Sequence, residues 1–312
     1  MTSQKDISSR AWIEMLLLGL IWGGSFVSIR IALNEVGPLT SVTHRTGWAM
    51  LLLWGVVLAM RLPIPRSWRI WFAFLVMGLM NNAIPFALMA WGQLHIESGL
   101  TSILNASTAI FGVLAAAIFF SDERLTLRKT IGVGLGFLGV ATAIGLENLR
   151  DFDIRSLAQM AVLGGTISYA LAGVWARKTL GALRPQVAAA GMLTGSTIII
   201  LPIAWALEGP VTLDLQWATI TAIAYYALVA TAGAYLLYYR VLAMAGSGNL
   251  MLVTLLIAPV AILLGAVFLG ETLNPNAYAG FALLALGLIV LDGRLWTALR
   301  GRMKNPAQQC GD

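Results

Sequence analysis

The second half of this chain repeats the first. Glu123-Arg-Leu125 follows one long apolar segment and Glu271-Thr-Leu273 follows another, while Gly132, Gly139 and Gly145 recur without a gap as Gly280, Gly287 and Gly293. Upstream, Arg30 with Pro38 recurs as Arg177 with Pro185. Each half carries five apolar segments. A unit that follows an odd number of membrane crossings enters the bilayer from the opposite side. The result is an inverted repeat, two antiparallel units about a midplane, which is how many solute carriers are built.

The segments have the necessary length. A span needs about 20 apolar residues, and ten segments qualify, at roughly 12–33, 39–60, 68–93, 99–120, 129–146, 156–177, 186–207, 217–240, 247–269 and 276–293. The chain is 59% hydrophobic and 11% charged, with the charges between the apolar runs, which excludes a soluble fold. The expected fold is an all-α integral membrane protein. Its ten transmembrane helices form two inverted five-helix repeats around a central cavity, over residues 1–150 and 151–312, the second ending in a basic tail.

The net charge of +6 is a topology signal. With the N-terminus inside, sixteen Lys and Arg, from Lys5 and Arg10 to Arg302 and Lys304, lie in inner segments, against Arg150 and Arg155 outside. That positive-inside bias places both termini in the cytoplasm, and no nucleic-acid partner is needed to explain the basic balance. Residues 1–33 imitate a signal peptide. Their apolar run is too long and lacks a small-residue cleavage motif, so it reads as a retained first helix. The single cysteine, Cys310, leaves no intrachain disulfide. A bacterial inner membrane is the expected location.

No acidic residue lies near the middle of a span, and Glu14 reads as a surface ion-pair partner of Arg10. The chain has no phosphate-binding loop, and His44 and His95 lack metal-ligand spacing. No nucleophile–base set falls together. An enzyme, an ATPase and a resident metal or cofactor are therefore not expected.

Polar groups within a span mark helix interfaces or a solute path. In the fourth segment Thr101, Asn105, Thr108 and Gly112 share a helical face, with Ser102 beside it. Asn105 reads as cavity-facing, and the hydroxyls fit either role. In the third, Asn81-Asn82 precedes Pro85, which frees the carbonyl of Asn81. Asn82 reads as cavity-facing. Trp12, Trp68, Trp71, Trp217 and Trp296 fit interfacial belts, but Trp22, Tyr169 and Trp175 fall inside spans. The register of Arg30 and Arg177 makes Tyr169 the counterpart of Trp22. In the eighth segment Tyr235 and Tyr239 share a face, next to Tyr238. Arg45 lies about 10 Å below the outer start of the second segment. It can clamp a carboxylate, but reads better as snorkelling outward or pairing with Glu35 or Glu97. The glycines of the fifth segment read as packing within the repeat, with dimerisation as the alternative. Pro202 and Pro259 mark places where the seventh and ninth can bend.

Trp22-Gly-Gly-Ser-Phe26 resembles the tryptophan–glycine–phenylalanine signature of the drug/metabolite transporter superfamily. The two Glu-x-Leu sites, with the glycines after each, are similar to its EamA-type repeat, and the likeness runs from residue 12 to 293. Within it, the chain looks most like the YddG-like exporters of aromatic and other neutral amino acids. The resemblance implies a ten-helix basket, a central cavity, alternating access, and export of amino acids and other metabolites. One departure is Tyr169-Ala170, where a second tryptophan–glycine would stand.

The expectation is a carrier or facilitator exporting small neutral metabolites, chiefly amino acids. Trp22, Asn82, Asn105, Tyr169, Trp175, Tyr235 and Tyr239 would line the midplane, amides and hydroxyls meeting the polar groups of the solute and aromatics covering its side chain. Two other readings are export of drugs, quaternary cations or nucleotide sugars, and a lipid-handling scaffold. The missing midplane acid argues against cations. Partners are the solute and the bilayer, with monomer and homodimer both open.

Overall fold

The computed structural model describes residues 8–121, 125–144, 154–245 and 253–292. Among them no strand occurs. Ten helical spans are present: α1 (Ser9–Ala32), α2 (Pro38–Ala59), α3 (Trp68–Gly92), α4 (Ser98–Phe119), α5 (Leu127–Ile144), α6 (Ile154–Thr179), α7 (Pro185–Glu208), α8 (217–245), α9 (Val253–Leu269) and α10 (Pro275–Asp292). They coincide with the ten expected segments to within a few residues. Residues 247–252 of the ninth, Glu123, Gly145, Gly293, Trp296 and Cys310 lie outside the described residues.

Local chemistry sets the helix ends. α2 and α7, counterparts in the two halves, both begin at a proline, where the missing N–H has no intrahelical partner to lose. α7 stops at Gly209, whose φ of 94° is open to glycine alone at low cost.

The pairing of helices is symmetric between halves. α5 packs on its counterpart α10, and α2 on its counterpart α7. The α1–α9 contact is matched by α6–α4, α3–α6 by α8–α1, and α3–α7 by α8–α2. A pattern that maps onto itself when the halves are exchanged describes a pseudo-two-fold axis between inverted repeats.

That axis explains the glycines and corrects part of their expected role. Gly132 and Gly139 pack between the repeats, since a helix on the axis meets its own counterpart, while Gly136 packs within the repeat against Ile110 of α4. A methyl at Gly139 would stand 2.5 Å from the Leu284 nitrogen and 2.8 Å from the Gly280 oxygen. A methyl at Gly287 would stand 2.7 Å from the Gly132 oxygen and from the Gly136 nitrogen. Gly134, on another face, has nothing within 4 Å.

Three spans are irregular. α3 passes through a π-helical turn at Leu79–Ala83, just before Pro85, where the widened turn accommodates the proline ring. α8 has its own π segment, Tyr225–Gly233, without any proline. The shift that carries Arg30 onto Arg177 carries 79–83 onto 226–230, so the two widened turns are counterparts. α4 breaks between Asn105 and Thr108, which divides the expected Thr101–Gly112 face into two helices. α7 and α9 continue as helix through Pro202 and Pro259.

Glu14 also departs from its surface reading. It is buried, and its Oε1 accepts from Arg10 Nε at 3.3 Å and Arg240 Nη2 at 2.6 Å, tying α1 to α8. Trp12, Trp68, Trp71 and Trp217 are exposed near span ends, as an interfacial belt requires.

Candidate functional site

The widened turns of α3 and α8 bring polar side chains together inside the bundle. Asn82 is fully buried, and its Oδ1 accepts from Asn81 Nδ2 at 3.1 Å and from the Tyr235 hydroxyl at 3.3 Å. Asn81 Nδ2 also lies 3.4 Å from that hydroxyl and 3.8 Å from Met192 Sδ. The Asn82 Nδ2 group is buried without a partner among the described residues. An amide left half-satisfied in an apolar interior costs about 1–3 kcal/mol. Natural structures keep such groups where a ligand or water meets them.

The next member is Arg45 of α2. Its Nε donates to Thr231 Oγ1 at 2.9 Å, and Cζ stands 3.8 Å over the Phe86 ring. The hydroxyls of Tyr169, Tyr226 and Tyr235 are within its electrostatic reach. The expected snorkelling or pairing does not occur, because the two acids named for it are engaged elsewhere. Glu35 accepts from Gln216 N at 3.0 Å, and Glu97 from Arg155 Nη2 at 2.8 Å. Thr231 accepts this bond while donating to the Tyr226 carbonyl at 2.8 Å, within the π segment of α8. Two π segments and Arg45 thus join α2, α3 and α8.

Tyr169 approaches from α6, its ring edge-on to Phe86 at 6.3 Å. Its neighbour Ser168 donates to the Met80 carbonyl at 2.6 Å, within the π turn of α3. Both halves therefore contribute to one cluster of Arg45, Asn81, Asn82, Tyr169, Thr231 and Tyr235.

The other expected residues stand apart from it in different ways. Trp22 gives its indole N–H to the Ala230 carbonyl at 3.1 Å and packs near Tyr238 at 5.9 Å, so it borders the α8 π segment. Trp175 gives its N–H to the Ala73 carbonyl at 3.1 Å, six residues beyond Tyr169 toward the other end of α6. Asn105 is half-buried at the α4 break, and its amide has no hydrogen-bond partner among the described residues. The side chain of Tyr239 lies outside the described residues. Sequence reasoning missed Asn81 as a bonded partner and Thr231 altogether. Thr231 carries no signal of its own, since only the π turn aims it at Arg45.

Four carboxylates join the halves at the end of the bundle that holds the start of α2. Glu208 accepts from Leu39 N at 2.9 Å and Thr40 N at 2.7 Å, at the N-terminus of α2. Glu271 accepts from Ser98 N at 2.9 Å, Ser98 Oγ at 2.8 Å and Gly99 N at 3.2 Å, at the N-terminus of α4. Helix N-termini favour anions. The Glu35 and Glu97 bonds complete the set. A hollow of about 20 Å³ nearby holds Gln159, whose unpartnered amide suits a single buried water. Among the described residues no group of three or more His, Cys, Asp or Glu could hold a metal.

Comparisons with known proteins agree with this architecture. A probable amino-acid metabolite efflux pump of Salmonella typhimurium is 27% identical over 88% of this chain and 92% of its own. A probable terminal-alkyne amino-acid exporter of Streptantibioticus cattleyicolor is 25% identical over 92% and 95%. A protein of known crystal structure superposes with a TM-score of 0.65 at 15% identity, over 90% of this chain and 97% of that one, which shows the shared fold. The pattern of the EamA-like transporter family matches residues 10–145 and again 156–291. With two matching repeats, ten helical spans and a polar cluster shared between the halves, the chain is a multi-pass membrane transporter that belongs to the EamA-like family.

Proposed function

We propose that the protein exports small neutral metabolites, chiefly amino acids with aromatic or other apolar side chains, across a bacterial inner membrane by alternating access. Both termini face the cytoplasm in this reading, and the repeats at 1–150 and 151–312 rock about the shared axis. The observation that carries it is the cluster itself. It is polar, rimmed by aromatic rings, drawn from both halves, and free of acidic side chains among the described residues. Such surroundings suit a zwitterion with an apolar side chain and penalise a lone cation. The names of the Salmonella and Streptantibioticus relatives point to the same substrate class. Trp22, Asn82, Asn105, Tyr169, Trp175, Tyr235 and Tyr239 are the proposed contacts, with Asn81 and Arg45 added. The amides of Asn81 and Asn105 supply acceptors for an ammonium group.

The test is entry of labelled phenylalanine, methionine and threonine into liposomes loaded with unlabelled amino acid, with and without a proton gradient. Saturable, protein-dependent entry is expected, and no entry of all three from folded protein removes the amino-acid reading. Asn82→Ala deletes the acceptor shared by Asn81 and Tyr235. Its rate should fall about 5- to 30-fold, one charge-free hydrogen-bond network being worth on the order of 1–2 kcal/mol. An unchanged rate would place Asn82 outside the solute path.

A further inference from the structure

We infer that Arg45 anchors a carboxylate of the transported solute, with the Tyr169 hydroxyl as a second donor. This deepens the transport reading above and rests on it for the identity of the solute. Only the Arg45 Nε is bonded. Nη1 and Nη2 have no hydrogen-bond partner among the described residues, and neither is a sealed, buried orphan. The Tyr169 hydroxyl is likewise unpartnered among them and unsealed, and its ring packs edge-on to the same Phe86 that the guanidinium covers.

The neighbourhood offers donors in excess. Asn82 Nδ2 is a buried orphan, and the Tyr235 hydroxyl joins Asn82 to the surroundings of Arg45. Among the described residues no acidic side chain interacts with Arg45. Thr231 and the Phe86 face hold the guanidinium from one edge and one side, leaving its outer fork free. A planar fork with two free N–H edges matches a carboxylate in a bidentate bond.

Symmetry argues against a purely structural role. The shift that carries Arg30 onto Arg177 carries Arg45 onto Met192, so the fold does not need a cation at the equivalent place. A charge inside a membrane is expensive unless paired, and a transported anion is the missing pair. Transport of a zwitterion keeps this pairing transient, because its ammonium group offsets the net charge.

The probes are phenylalanine, phenylalaninamide, 3-phenylpropionate and phenethylamine, and the readout is the thermal unfolding midpoint of the purified full chain across a concentration series. For the wild type, the carboxylate-bearing compounds should bind at least about 100-fold more tightly than the amide and the amine, as expected for loss of a charge-assisted bidentate bond. Arg45→Gln should erase the preference for acid over amide, and Tyr169→Phe should reduce it about tenfold. If Arg45→Gln does not fold, the comparison of acid with amide in the wild type still decides.

Equal binding of acid and amide to the wild type would overturn the inference. So would binding of no carboxylate, or a folded Arg45→Gln that keeps the preference. Binding of 3-phenylpropionate without phenylalanine would keep the anchor and remove the amino-acid reading. Phenylalanine entry into liposomes without any preference for acid over amide would keep the transport reading and remove the anchor.

Discussion

Leucine at Gly139 or at Gly287 should abolish the folded protein, while leucine at Gly134 should leave it intact. Gly139 and Gly287 meet backbone atoms of the opposite repeat, at distances a side chain cannot relieve by rotating away. A single added methyl already falls inside van der Waals contact with Leu284 N and with Gly132 O. Overpacking of this kind costs about 1–3 kcal/mol where neighbours can yield, and more where they are main chain. A total stability on the order of 5–15 kcal/mol leaves little room for the α5–α10 seam to open. Gly134 has nothing within 4 Å on the same helix, so it serves as the internal control. Monodisperse elution in detergent and the unfolding midpoint measure the result. Normal elution of Gly139→Leu together with Gly287→Leu would mean that the seam does not hold the repeats together.

The same seam shows how much of the fold was legible in the residues. Its glycines were visible, and their recurrence identified the repeat. Their partner was not, because small-residue stripes look alike whether they face a neighbour in sequence or a counterpart across an axis. Span ends are legible in the residues, since length, charge and proline at first turns are local signals. The π turn of α3 was half visible through Pro85. Its counterpart in α8 was invisible, because an inserted residue there is held by distant bonds such as Trp22 to the Ala230 carbonyl. The α4 break beside Asn105 has no proline either.

For the candidate site, residue type was informative and pairing was not. Asn82, Tyr169 and Tyr235 fall in one cluster, yet the outer acids expected beside Arg45 are engaged elsewhere, Glu35 with Gln216 N at the start of α8 and Glu97 with the Arg155 side chain. Trp22 and Trp175 spend their only donors on backbone carbonyls. Aromatic type alone cannot distinguish that duty from solute contact.

The Glu-x-Leu motif served in the sequence only as a marker of the repeat, and the structure gives its glutamate a physical task. Glu271 belongs to the second half, yet it accepts three hydrogen bonds at the N-terminus of α4 in the first. A carboxylate there meets backbone N–H groups that have no intrahelical acceptor, and it meets the positive end of the helix dipole. Removing it should cost about 3 kcal/mol, summing charged hydrogen bonds with the loss of a helix cap. In an alternating-access carrier that energy favours the state joined at this end. Its loss should therefore shift the population about 100-fold toward opening there. The measurement uses Thr101→Cys, on the capped helix, with Cys310→Ser to remove the native thiol. Adding Glu271→Ala should raise its labelling by a membrane-impermeant maleimide about 100-fold, and Glu271→Gln should raise it less, since the amide still accepts. An unchanged labelling rate in folded Glu271→Ala would mean that this carboxylate braces α4 without controlling access.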